Sequence, residues 1–126
     1  MQDEVKVTVH RGAHQIGGCC TEIEYLSTRI VIDMGSPLPE NEQNELEIEG
    51  ITKGKVNCNG IFLTHYHGDH IGEISNLMQQ IPIYSSVCTK EFIKAYQNRM
   101  GKNYPCNIDV NRINSIADGE VVAVGE

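Results

Sequence analysis

Val5, Val7 and Val9 alternate with Lys6, Thr8 and His10, the period-two pattern of a strand with one face buried. A glycine-rich stretch follows, Gly12-Ala13-His14-Gln15-Ile16-Gly17-Gly18. Two further apolar segments, 21–26 and 29–33, flank a Ser27-Thr28 turn and predict an antiparallel hairpin. Met34-Gly35-Ser36-Pro37 then punctuates the chain and ends the second strand. Residues 37–55 are polar and acidic with little periodicity, which predicts a long surface loop with room for one short helix. From Gly60 the character changes. Residues 60–64 form a short apolar run of the kind a buried strand makes. Ile71, Ile74, Leu77 and Met78 recur at helical spacing, predicting a helix from near His70. Residues 81–84 predict another short strand. Residues 88–100 predict a second helix with Phe92, Ile93, Tyr96 and Met100 on one face and Gly101 as its stop. Residues 107–111 are expected to be loop or a short strand, and 121–124 a last strand after an Asp118-Gly119 turn. Strands and helices alternate only after residue 60, so the pattern is α+β.

The chain has 126 residues, 40% hydrophobic and 21% charged, a size and composition that fit one domain or part of one. Its apolar runs are only a few residues long, far short of the roughly 20 a membrane helix needs. The acidic start Met1-Gln2-Asp3-Glu4 lacks the apolar core of a secretory signal. Five cysteines, an odd number with no Cys-x-x-Cys pair, read as reduced thiols and point to the cytoplasm. The net charge of −7 is mostly local: Glu40, Glu42, Glu45, Glu47 and Glu49 stand together without a base, and outside them the balance is 10 basic to 12 acidic residues. Residues 90–112 carry five basic groups against Glu91 and Asp109. The overall acidity therefore neither excludes an anionic substrate nor argues for one.

The strongest chemical signal is His65-Tyr66-His67-Gly68-Asp69-His70, three histidines and a carboxylate within six residues, after a buried strand and before a helix. In an extended segment residues i and i+2 point to one side, so His65 and His67 can converge on one ion. Asp69 and His70 fall where the chain turns and can face the same cavity for a second. Gly68 lets the backbone turn there. Imidazole and carboxylate donors suit zinc, and manganese or iron also fit. Desolvating four such groups together without a cation would be costly. By contrast, His10 on its strand reads as structural and His14 as a surface loop residue.

Thr64-His65-Tyr66-His67-Gly68-Asp69-His70 resembles the HxHxDH signature of the metallo-β-lactamase superfamily. Ile30-Val31-Ile32-Asp33-Met34-Gly35 resembles the same superfamily's earlier strand ending in Asp-x-Gly. The resemblance implies an αββα sandwich with two divalent metal ions at the sheet edges, His65 and His67 on the first, Asp69 and His70 on the second. It further implies that Asp33 orients the metal-binding loop by hydrogen bonds and that Asp69 helps to orient the attacking water. The stretch Gly12 to Cys20 followed by Thr21-Glu22-Ile23 is similar to the opening of ribonuclease J and related β-CASP nucleases, although His14 and Cys19-Cys20 depart from that pattern.

Only the first part of the superfamily pattern is present, because no histidine follows His70. The chain is therefore expected to be the N-terminal half of the sandwich, residues 1–126 of a longer protein, with a natural truncation as the alternative. The parent is expected to be a metal-dependent hydrolase, a ribonuclease J-like phosphodiesterase or exoribonuclease acting on RNA. Two other readings are a thioester hydrolase or lactonase of the same fold, and a fragment without activity. With two protein ligands per ion, where catalytic zinc usually has three, the isolated chain is expected to hold metal poorly and to be inactive. Half a sandwich also leaves a sheet face bare, so a homodimer is expected, with Val5, Val7, Val9, Ile30, Ile32, Ile61 and Leu63 on the candidate sheet.

Overall fold

The N-terminal valine alternation forms the first strand of a single six-stranded sheet. The computed structural model describes residues 3–125. Among them the strands lie side by side in chain order: β1 (Val5–Arg11), β2 (Cys20–Tyr25), β3 (Thr28–Ile32), β4 (Gly60–Phe62), β5 (Ile83–Ser86) and β6 (Ile113–Ile116). β1, β2 and β3 pair antiparallel, whereas β3 to β6 run parallel. The connections explain the change. A two-residue turn at Leu26-Ser27, with Leu26 at φ 52°, suffices between β2 and β3. Parallel neighbours need longer crossovers, which the loop after β3, the one-turn helix α1 (Gly68–Ile71) and helix α2 (Val87–Met100) supply.

One sheet face carries the core. Val31, Ile61, Ile83 and Ile113 sit opposite one another on β3 to β6 and are buried, and Ile93 of α2 packs with them. Ser86 caps α2 by accepting the Thr89 N–H at 3.0 Å, and Gly101 closes the helix at φ 54°. The 37–55 segment contains no helix, and it is not merely surface. Its Leu46, Ile48 and Ile51 are buried and close one end of the core. Burial pushes the Cys20 and Cys106 thiols up to about 12, in keeping with unreactive structural cysteines.

Three expectations differ from the structure. The helix predicted from Ile71, Ile74, Leu77 and Met78 is only the single turn α1 and a 3₁₀ turn at Ile74–Asn76. Its periodicity marks burial, since Ile71, Ile74 and Leu77 are all buried. The helix stops because Gly72 is pressed against Ser36 and the Glu73 N–H bonds to the Met34 carbonyl at 2.9 Å instead of continuing the turn. The last strand is 113–116 rather than 121–124: Ile113 inserts beside Ile83, while Val121 is 92% exposed. Residues 121–125 instead run on so that Gly125 lies against Thr28 of β3. Finally, Ile61 and Leu63 belong to the buried face, not the bare one. The open face is Val7–Ile23–Ile30 and Val9–Thr21–Ile32–Phe62–Tyr84 across the register, with Val5, Val7 and Val9 exposed and Phe62 stacked on Tyr84 at 4.9 Å.

A buried charge cluster locks the hairpin to β1. The Glu22 carboxylate accepts from Arg29 Nη2 at 2.8 Å and lies 2.7 Å from His10 Nε2. Burial acts to raise the Glu22 pKa, but the hydrogen bonds from Arg29 and His10 outweigh it and bring it down to about 2. A carboxyl depressed in the folded state stabilises above its unfolded pKa of about 4.5 and loses that contribution as pH falls toward about 2. Glu22→Gln removes the nearer carboxylate from Arg29, leaving it only Glu24 at 3.8 Å, and is expected to cost about 3 kcal/mol at neutral pH. Urea melts of the two proteins between pH 7 and pH 2.5 check this. The gap should narrow progressively as pH falls from about 4.5 toward about 2, and a gap independent of pH would remove the ion pair as its cause.

Candidate metal centre

Asp33 follows β3 directly and turns the chain with φ 62°, a left-handed conformation that aspartate tolerates. Its N–H continues the ladder to the Phe62 carbonyl at 3.0 Å, which brings the ends of β3 and β4 together. The buried carboxylate then accepts the Thr64 N–H at 2.8 Å and the Thr64 hydroxyl at 2.7 Å, and its Oδ2 stands 2.8 Å from His70 Nδ1. An ionised carboxylate only accepts, so His70 carries its proton on Nδ1 and keeps the Nε2 lone pair free. The same logic reaches His65. Thr64 gives its single hydroxyl proton to Asp33, so its oxygen, 2.9 Å from His65 Nδ1, accepts from that nitrogen. His65 therefore also presents a free Nε2. One carboxylate thus sets the tautomers of two histidines.

His65, Asp69 and His70 offer ligand atoms that all lie within 4.8 Å of one another, and the His65 and His70 rings are 4.1 Å apart. His67 stands outside this group. It is exposed, with its ring edge-on to His65 at 4.7 Å and to Tyr66 at 4.8 Å. Burial, and then the nearby rings of His70 and His67, hold His65 below the ordinary imidazole pKa, which favours the neutral ligand form. Three converging donors of this chemistry, with Nδ1 engaged on both imidazoles, fit a divalent cation.

Backbone packing holds the ligand loop. Gly35 approaches Asp69 and His70 so closely that a Cβ there would overlap the Asp69 carbonyl group. Gly17, at φ 81°, lies against the Asp69 side chain. The Cys19 N–H donates to the Asp69 carbonyl at 3.1 Å, Met34 N–H to His70 at 3.0 Å and Ser36 N–H to Gly68 at 3.0 Å. The glycine-rich stretch and the Asp-x-Gly turn are therefore the walls of the site.

Arg11 joins those walls, a role its position in the sequence does not reveal. Its guanidinium donates to the carbonyls of Gly18 at 2.9 Å, Asn44 at 2.5 Å and Gly35, and pairs with Glu73. Glu73 also accepts the Leu46 N–H at 2.7 Å, so the acidic loop is tied to the same anchor. His10 is engaged with Glu22 and His14 is exposed, as the sequence suggested. Beside the site, an open cleft of about 480 Å³ runs from His67 and Asp69 to Tyr66, Tyr96 and Tyr104.

Several known proteins are similar to this chain. Ribonuclease J 2 of Streptococcus pyogenes serotype M3 is 27% identical over 100 residues, 74% of this chain and 18% of that protein. Ribonuclease J 2 of Staphylococcus aureus MRSA252 is 25% identical over 119 residues, 89% of this chain and 21% of that one. The chain thus spans about a fifth of the length of these curated relatives. In fold it is similar to a protein of unknown function from Enterococcus faecalis V583, with TM-score 0.74 and 24% identity over 99% of this chain and 36% of that one. It also resembles MEM-A1, a subclass B3 metallo-beta-lactamase from a soil metagenome library, with TM-score 0.58 and 23% identity over 86% of this chain and 43% of that one. The sheet with its helices is a partial domain of that fold. Residues 20–123 match the metallo-beta-lactamase superfamily, so the chain, with its His-Asp-His cluster and ordering aspartate, belongs to that superfamily of metal-dependent hydrolases.

Proposed function

We propose that this chain supplies the first metal-binding half of a phosphodiesterase of the ribonuclease J kind, acting on RNA within a longer cytoplasmic protein. The observation that carries the reading is the His65–Asp69–His70 cluster with both Nε2 atoms free, on a chain whose curated relatives include ribonucleases J over up to 89% of its length. His65, His67, Asp69 and His70 are the proposed ligands for up to two divalent cations, zinc fitting the donors best. Such a cation supplies Lewis-acid chemistry, easing ionisation of water and offsetting phosphate charge. The chain's own part is positioning. Asp33 fixes His70 directly and His65 through Thr64, and Asp69, held by Cys19 and Gly35, aims its carboxylate into the same space. His67 joins from the rim.

The test of the function uses the protein from its complete reading frame with zinc or manganese supplied. Release of nucleotides from a single-stranded RNA, abolished by a chelator, supports the proposal. Hydrolysis of a thioester or lactone with RNA and DNA untouched would overturn it. The role of Asp33 has its own check. Asp33→Asn is expected to weaken zinc binding about 10- to 100-fold, measured by competition with a chromophoric chelator. Unchanged affinity would show that the Asp33 hydrogen bonds do not order the ligands.

The bare sheet face carries the proposal that the 126-residue chain on its own pairs with a second copy. Val5, Val7 and Val9 are 62%, 59% and 48% exposed beside Ile23, Ile30, Ile32 and Phe62. Fully burying a valine side chain is worth about 1.5 kcal/mol or more, and a two-fold contact would bury the set twice. Light scattering at micromolar concentration should give twice the 14.0 kDa chain mass. A monodisperse species of one chain mass would overturn the dimer.

A further inference from the structure

Helix α2 carries its largest side chains on the wrong face for a core. Thr89 and Ile93 turn inward, yet Phe92, Tyr96 and Met100 stay 43%, 37% and 39% exposed. They are not scattered. Tyr66, between two of the candidate ligands, stacks on Phe92 with centroids 4.7 Å apart and planes 17° apart. It also stacks on Tyr96 at 5.2 Å and 18°, and Tyr96 continues onto Tyr104 at 5.7 Å and 13°. Tyr104 is pinned by its hydroxyl, which donates to the Tyr66 carbonyl at 3.1 Å. The result is a ladder of near-parallel rings with Phe92 at its exposed end and Tyr66 edge-on to His67 at 4.8 Å. The 480 Å³ cleft runs along it to Asp69, and a second of about 330 Å³ opens between Phe92, Tyr96 and Arg99.

Charge indicates what the ladder meets. Within a chain of net charge −7, residues 87–103 hold Lys90, Lys94, Arg99 and Lys102 against Glu91 alone. Arg99 lines the second cleft together with Phe92 and Tyr96, and flat rings beside a cation on a basic segment form an arrangement that binds single-stranded nucleic acid, the rings taking bases and the cations the backbone. An acyl chain would use the apolar surface but leave the cations unanswered. We propose that the Phe92–Tyr66–Tyr96–Tyr104 ladder is a base-stacking subsite that holds a nucleotide of single-stranded nucleic acid next to the candidate metal centre. The proposal rests on the phosphodiesterase reading and deepens it. A cation held by the cluster would act at a phosphate, and the ladder would set which stretch of strand lies there.

The probe is a labelled eight-nucleotide oligouridylate, compared with an abasic oligomer of equal phosphate count. Binding is measured on the full-length protein with a chelator present, so that nothing is cleaved. Stacking is worth roughly 5- to 150-fold in affinity per base, so the wild type should prefer the oligouridylate by at least about fivefold. Phe92→Leu, and Phe92→Leu with Tyr96→Leu, keep apolar bulk without a flat ring. They should erase the preference while leaving affinity for the abasic oligomer and for zinc unchanged. The single variant at the exposed end keeps the test valid if the double variant misfolds. Equal wild-type affinity for the two oligomers would overturn the subsite, and so would protection of Phe92 and Tyr96 by a medium-chain acyl thioester instead of RNA. Metal-dependent RNA cleavage is scored separately. Cleavage without base preference defeats only the ladder, whereas no cleavage of RNA or DNA defeats the phosphodiesterase reading beneath it.

Discussion

Replacing Asp69 by Asn in the full-length protein is expected to lower phosphodiester hydrolysis by about a thousandfold or more while leaving the fold intact. Asp69 brings the negative charge to a cluster whose other members are imidazoles, and its Oδ2 lies 3.6 Å from His70 Nε2. A cation's contribution to a hydrolytic barrier is worth several kcal/mol, and each 1.36 kcal/mol is a factor of ten. Losing an anionic ligand therefore reaches three decades readily. Asparagine keeps the side-chain volume that meets Gly17, and the Asp69 carbonyl that bonds to Cys19 belongs to the backbone. Circular dichroism and melting temperature should then match the wild type. Steady-state cleavage of single-stranded RNA at saturating zinc reads the loss. A variant within tenfold of wild type would exclude Asp69 from the reacting site.

The largest structural effect is expected from Gly35→Ala. A methyl group there would overlap the Asp69 carbonyl group and come within 2.7 Å of the His70 nitrogen. Those are backbone atoms, so no rotamer change relieves the contact. The ligand loop must move, and the Gly35–Cys19 bond of 2.9 Å and the Met34–His70 and Ser36–Gly68 bonds move with it. Overpacking of a fixed interior costs about 1–3 kcal/mol, occasionally more. The upper end applies here, which lowers the melting temperature by roughly 10 °C. Zinc binding should fall in parallel, since the same displacement carries Asp69 and His70. Gly119→Ala is the control: Gly119 also has a positive φ, 77°, but a Cβ there meets nothing within 4 Å. If the two variants melt together, close packing at Gly35 is not what the glycine provides.

Period and spacing made much of this protein legible. Val5 to Val9, the 21–33 hairpin, the short β4 run and helix α2 each satisfy a local rule, and each is present within a few residues of its expected place. The candidate donors were equally visible, because His65, Asp69 and His70 fall within six residues and only a turn is needed to bring them together, whereas His67, expected beside His65, stands outside the group. The failures share a cause. The 71–78 periodicity looked helical, but Gly72 packed on Ser36 and the Glu73–Met34 bond interrupt it, and both partners lie some 36 to 39 residues upstream. β6 has only Ile113 firmly buried, too little alternation to stand out, and it exists because β5 offers it an edge.

The chemistry of the candidate donors, the strand and helix periods, and the Asp-x-Gly and HxHxDH segments that mark the superfamily are all local properties of the chain. A local spacing can carry them because neighbours in sequence are neighbours in space over one or two turns. That Asp33 governs the tautomers of His65 and His70, that Arg11 and Glu73 clamp the walls of the site, and which sheet face stays bare emerge only from long-range packing. So does the line of Phe92, Tyr96 and Tyr104 with Tyr66 beside the candidate ligands. Those pairings span from 8 to 62 residues along the chain, save for the hydroxyl of Thr64 beside His65, and no period encodes them. They arise where buried polar groups must find partners and where strands converge, conditions that exist only once the sheet has formed.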